Sequence, residues 1–246
     1  MSKSTKNKQE GKINTYKKTA RIAGVLFIIA TVASLLSLPF IAPIKASNYL
    51  VDVSANGNQV TIGALLLFIG AAASAGIAIS LYPILKKYNQ GLALGSVGFR
   101  IIEGMFGIVG VICLLLLTTL SQEFVKAGAP DSSYFQTLGI LIYAGNRWVS
   151  NVASLLAFSI GCLLYYIVLY RTKLVPRWIT VWGLVASILA MLSTVLVLVG
   201  LIAPFGTEQV VMNLPMFPQE MVLAAWLIAK GFNPAVIASK SPQLDS

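Results

Sequence analysis

The sequence predicts an all-α fold, an integral membrane bundle of six transmembrane helices with both termini cytoplasmic. Three observations carry this reading. Of the 246 residues, 57% are hydrophobic and only 11% are charged, against about 25% charged in a soluble domain. The mean hydropathy is +0.82, more apolar surface than a soluble chain of this length can hide. The few charges also divide the chain into uncharged runs of about 20 residues or more, the length that crosses a bilayer.

Span one is Ile22 to Ile44, between Arg21 and Lys45. Its length and the sequence Ile44-Lys45-Ala46, a poor small-x-small cleavage site, argue for a retained helix rather than a signal peptide. Span two is Val60 to Leu85. Its Gly70, Ala71, Ala72, Ala73, Ser74, Ala75 and Gly76 allow helices to approach closely, which is the packing currency where lipid removes the hydrophobic drive. Span three is Leu92 to Leu120, with Arg100 and Glu103 inside it. Span four is Arg147 to Tyr170, preceded by a short segment at Tyr134 to Tyr143, with Gly145 as the expected break. Span five is Trp178 to Ile202. The sixth run, Gln209 to Ala229, is interrupted by Pro215, Pro218 and Glu220. The domain division is a basic disordered tail over 1–20, a transmembrane domain over 21–233 and a short tail over 234–246.

Six spans put both ends on one side, and lysine and arginine say which. Seven of the 18 basic residues lie in the first 21. With Lys86, Lys87, Arg171, Lys173, Arg177, Lys230 and Lys240, one side carries fourteen. The other carries Lys45 and Lys126, against Asp52, Glu123, Asp131 and Glu208. The positive-inside rule makes the basic side cytoplasmic. Tyr170, Trp178 and Trp182 fall at that boundary, where aromatic residues concentrate. The net charge of +10 therefore describes a tail and turns, not a nucleic-acid surface. The tail is placed to touch anionic lipid headgroups, or simply to fix topology.

Polar residues inside the spans are the candidate site. Ser96, Arg100, Glu103, Gly107 and Gly110 form one stripe of span three. At the helical rise, Glu103 lies about 17 Å beyond Leu92 and Glu220 about 15 Å from Lys230, so both are near mid-depth, with Arg100 one turn away from Glu103. Span four has a second stripe of Arg147, Asn151, Ser154, Phe158, Gly161 or Cys162, and Tyr165. Arg147 falls near the opposite interface. A charge at the bilayer centre costs about 2.5–3.5 kcal/mol, so three at one depth are expected to meet. One arginine against two glutamates leaves three solutions: Arg147 reaches inward, one glutamate is protonated, or a cation binds. An inert pair that only fixes helix register is the competing account. In span six Asn213, Gln219 and the two prolines suggest a helix broken near the midplane, as at many transporter sites, or merely a kink. Glu220 is expected in the first turn of a helix started by Pro218.

Several chemistries are excluded. There is no histidine and there are only two cysteines. This removes most histidine-based hydrolysis, zinc and haem chemistry, and a disulfide framework. No cofactor or metal is expected. No aspartate lies in a span, so a paired-aspartate protease does not fit.

Gly98-Phe99-Arg100 with Glu103, Leu174-Val175-Pro176-Arg177-Trp178 with Trp182-Gly183, and Leu214-Pro215 with Gln219-Glu220-Met221, Trp226 and Lys230-Gly231-Phe232 together carry a resemblance. The chain resembles the bacterial membrane proteins catalogued as domain of unknown function 4386, over Thr19 to Ala235. The resemblance implies a polytopic bacterial membrane protein and no particular activity.

The reading is thus a multi-pass protein of the cell membrane that binds or translocates a small solute, ion or lipid. Its site is Arg100, Glu103 and Glu220, lined by Gln219, Asn213, Asn151 and Tyr165, with Arg147 nearby. The alternative is a non-enzymatic accessory subunit whose ion pair sets packing. A lipid-modifying enzyme working through glutamates alone is the least favoured class.

Overall fold

The computed structural model describes residues 3–130 and 134–239. Met1, Ser2, Asp131 to Ser133 and Lys240 to Ser246 lie outside them. The described residues form helices and turns with no strand. The helices are α1 (Lys3–Phe40), α2 (Tyr49–Ala55), α3 (Gly57–Leu85), α4 (Gln90–Lys126), α5 (Tyr134–Trp148), α6 (Ser154–Thr172), α7 (Arg177–Leu198), α8 (Thr207–Asn213), α9 (Met216–Ala229) and α10 (Pro234–Ser239). Six stretches are long and apolar enough to cross a membrane: Asn14–Phe40, Gly57–Leu85, Gln90–Lys126, Tyr134–Thr172, Arg177–Leu198 and Thr207–Ala229.

Short turns make consecutive spans antiparallel neighbours, and the set closes on itself. α1 packs on α3, α3 on α4, α4 on α6, α6 on α7, α7 on α9 and α9 back on α1. Large apolar side chains such as Leu65, Met105, Leu116, Leu141, Val185 and Leu192 point outward and are exposed. That is the surface a hydrocarbon solvent asks for. The small face of α3 is used for packing, since a Cβ on Gly107 would meet the Ala71 side chain at 3.2 Å. One core, around Phe27, Leu81, Cys162, Tyr165, Tyr166, Leu169 and Leu223, fills the half of the bundle nearer the chain ends. A second, around Leu50, Val53, Val60, Leu114 and Phe124, fills the far end.

The backbone is helical from Lys3 onward as part of α1. Extension from an existing membrane helix needs no new nucleus, and lysine, glutamine and glutamate are good helix formers. Three expectations change. Gly145 breaks nothing: α5 runs through it, and the irregularity is a π-helical turn over Val149–Ala153. The segment from Tyr134 is therefore one continuous rod with α6. The sixth run does divide, but at Leu214–Pro215. Pro218 is the third residue of α9 and Glu220 the fifth, so Glu220 sits in the second turn rather than the first. Pro215 and Pro218 both fall where a helix start leaves N–H groups without intrahelical partners, which confines the break to one point. The loop to the far side of α1 holds a 3-10 turn, Ala42–Lys45, and α2.

Tyr16 of α1 and Val236 of α10 both meet the turn between α3 and α4 at the basic end of the bundle. Lys87 contacts the ring and hydroxyl of Tyr16. The Tyr88 hydroxyl donates to the Val236 carbonyl at 3.3 Å. Burial, with Tyr16 adding to it, holds that phenol above its ordinary pKa, so it remains a donor.

Candidate functional site

Arg100 is the centre. It is 1% exposed and its Nη1 lies 3.0 Å from Glu103 Oε2, one turn along α4. Glu103 Oε2 has no aligned hydrogen-bond donor, so this contact is a close charge pair rather than a directed bond. The other oxygen, Oε1, accepts from the Ser74 hydroxyl of α3 at 2.7 Å. Ser154 of α6 donates to the Glu103 backbone carbonyl at 3.1 Å. The Arg100 guanidinium lies over the Phe158 ring at 4.8 Å, and Nη1 reaches Cys162 Sγ at 3.6 Å. Gly161 makes the approach possible: a Cβ there would meet Arg100 Cγ at 3.0 Å and Cδ at 3.1 Å. Arg100 Nε is buried without a partner.

Glu220 comes from the opposite side of the ring, on α9. It interacts electrostatically with Arg100 and Glu103, and its Oε1 is shielded from solvent with no hydrogen-bond partner. Tyr165 faces the same group, donating to Cys162 Sγ at 3.3 Å. Gln219 points elsewhere: its Oε1 accepts from the Tyr166 hydroxyl at 2.5 Å and its Nε2 donates to the Ile179 carbonyl at 3.1 Å. It fastens α9 to α6 and α7.

Two of the expected site residues belong to a separate network. The π-helical turn adds a residue and turns Asn151 away from Arg100. Asn151 Nδ2 donates to Gln209 Oε1 at 2.9 Å, and the same oxygen accepts the Phe205 N–H at 2.7 Å. Asn213 Nδ2 donates to the Ser193 hydroxyl at 3.1 Å and to the Gln209 carbonyl at 2.8 Å. Gln209 Nε2 and Asn213 Oδ1 are buried and unpartnered. Arg147 lies farther out, with Nη2 donating to the Pro204 carbonyl at 2.8 Å and its guanidinium 5.8 Å from the Tyr143 ring centroid. It does not reach the cluster. Of the three ways to balance the charge, an inward Arg147 is therefore removed.

Gln209, Tyr166 and Ser74 were not singled out from the sequence. Gln209 stands at the edge of the sixth run, Tyr166 is one place off the polar stripe of span four, and Ser74 reads as part of the small packing face of span two. Only their partners on other helices mark them.

A family model described as a domain of unknown function, DUF4386, matches residues 22–231. The chain belongs to the DUF4386 family. The matched region runs from the membrane part of α1 to the end of α9 and so holds every residue of the cluster. No curated protein and no solved structure matches this DUF4386 chain.

Proposed function

We propose that this DUF4386 protein lies in a bacterial cell membrane with both termini cytoplasmic, and binds or moves a small solute, ion or lipid at the Arg100, Glu103 and Glu220 cluster. One observation carries the reading. Glu103 already stands against Arg100, Arg147 is engaged at Pro204, and Glu220, which shares the same arginine, has a buried Oε1 with no hydrogen-bond partner. A second carboxylate against a single arginine at that depth is costly. The remaining solutions are a proton on Glu220 or a bound cation. A group that must take up and release a cation in low dielectric is a working part of an exchange site. Arg100 is the counter-charge that keeps it poised, and the carboxylate of a substrate or an anionic headgroup would compete for the same guanidinium.

The alternative, an accessory subunit whose buried pair only fixes packing, is favoured by the serines. Ser74 and Ser154 tie Glu103 to α3 and α6, as a purely architectural pair would be tied. The two readings separate in proteoliposomes with a trapped pH dye and an imposed proton or sodium gradient. The exchange reading expects the wild type to dissipate a gradient faster than Glu220→Gln. Equal rates for both gradients overturn it. The orientation is tested by reporter fusions at either end of the chain, which should report the cytoplasm in both cases.

A further inference from the structure

At the basic end of the bundle the turn between α6 and α7 meets the segment that leaves α9. A cavity of about 550 Å³ opens there, lined by Lys173, Arg177, Lys230, Trp226 and Asn233 among others. This is within the range of small-ligand sites, about 300–1,000 Å³. The lining holds three cations and no acid. Lys173, Arg177 and Lys230 are all exposed, and none forms an ion pair among the described residues. The Arg177 guanidinium is held over the Tyr170 ring at 5.4 Å.

The backbone around the cavity is fastened. The Asn233 N–H donates to the Leu174 carbonyl at 2.9 Å, and the N–H groups of Lys230 and Gly231 both donate to the Trp226 carbonyl, at 2.8 and 3.1 Å. Gly231 has φ +71, the left-handed turn that ends α9 and aims the chain across to Leu174. Electrostatics are not one-sided. The C-terminal ends of α6 and α9 bring partial negative charge to the rim. Lys173 and Lys230 stand at those two ends and offset it. The start of α7 contributes the N–H groups of Arg177 and Trp178, those of Ile179 and Thr180 being taken by the Pro176 carbonyl.

The cavity also lies at the ends of three membrane-length helices, the level at which a bilayer would pass from hydrocarbon to headgroup. The spans ending at Thr172 and Ala229 and beginning at Arg177 all terminate at its walls, and Trp226 and Trp178 are the aromatic residues of that boundary. An occupant must carry negative charge at the headgroup level and an apolar part against Trp226. We propose that this cavity is a binding site for the headgroup phosphate of an anionic phospholipid, gripped by Lys173, Arg177 and Lys230. It stands independently of the mid-membrane cluster.

The test uses the full chain in neutral detergent, titrated with a fluorescent phosphatidylglycerol and with phosphatidylcholine of the same chain length. The wild type should bind phosphatidylglycerol about tenfold tighter or more. Each cation facing a headgroup is worth roughly fivefold, so Lys173→Gln/Arg177→Gln/Lys230→Gln should weaken phosphatidylglycerol binding about 100-fold. Lys18→Gln/Arg21→Gln/Lys86→Gln removes the same charge from exposed positions elsewhere on that end and should change binding less than about threefold. All three target side chains are exposed, and Lys230→Gln alone should give about fivefold, so the test survives if the triple variant does not fold. Equal binding of the two lipids, or equal losses in the two triple variants, overturns the site. Full displacement by millimolar inorganic phosphate would assign it to free phosphate instead and equally overturn the lipid.

Discussion

Replacing Glu103 and Glu220 separately by glutamine should have opposite consequences, although both are carboxylates in one cluster. Glu103 and Arg100 are 3.0 Å apart and only 13% and 1% exposed, so water screens the pair little. Removing one partner of such a pair costs about 3–5 kcal/mol, mostly because the other charge is stranded. The amide of Glu103→Gln keeps the Ser74 hydroxyl as a donor to its oxygen, which returns about 1 kcal/mol. The expected loss is therefore about 2–4 kcal/mol. Glu220 presents a different case. Its Oε1 has no partner, so Glu220→Gln strands nothing and removes the excess negative charge. Its stability should lie within about 1 kcal/mol of the wild type, or above it, as when a residue is kept at a cost to stability for function. The assay is reversible unfolding of the purified protein in mixed micelles by SDS titration, monitored by the tryptophans and by helical circular dichroism, with coincidence of the two probes as the two-state check. Equal losses in the two variants would refute the reasoning, since they would mean that Glu220 is a full partner of Arg100 and that the cluster is one structural triad.

Other outcomes follow from the same geometry. Gly161→Ala places a methyl about 3 Å from the Arg100 stem and should cost about 1–3 kcal/mol by overpacking; Gly95→Ala, whose methyl would meet only the tip of Leu164, should cost less in the same unfolding assay. Tyr166→Phe leaves the Gln219 amide oxygen buried without its 2.5 Å donor, an expected loss of about 1–3 kcal/mol, and Gln219→Leu in the Tyr166→Phe background should then cost less than it does alone. Gln209→Leu removes the acceptor of both Asn151 and the Phe205 N–H, and hydrogen exchange at Phe205 should accelerate while amides in α6 do not change. Leu81→Ala, at a fully buried position, should lose about 2–5 kcal/mol, whereas Leu116→Ala on the outward face should lose little in detergent, because that side chain exchanges one apolar contact for another.

The spans were readable because a bilayer imposes a one-dimensional rule. A run of apolar residues between charges is a helix across the membrane whatever its neighbours do, since no other backbone form satisfies its own N–H and C=O groups in hydrocarbon. For the same reason Arg100, Glu103 and Glu220 could be placed at a common depth by counting residues, and the basic turns could be assigned to one end. The signals that failed were local ones. Gly145 resembles a breaker, but a helix held by its neighbours tolerates it at about 1 kcal/mol.

What the sequence by itself determined is the number of spans, the stretch of chain that each occupies, and the common depth of the buried charges. These depend on rise per residue and on the cost of burying polar groups, both set by the chain alone. Which side chains meet was decided by the tertiary structure. The closed ring brings α9 against α1 and α7, so Glu220 faces Arg100 across more than a hundred residues of chain. The π-helical turn sends Asn151 to Gln209 instead of to the cluster, and Arg147 is spent on Pro204. Azimuth around a helix, unlike depth along it, is fixed only by what packs on either side. One extra residue in a turn rotates everything beyond it by about 100°, and nothing in the local sequence records which way the neighbours will hold it.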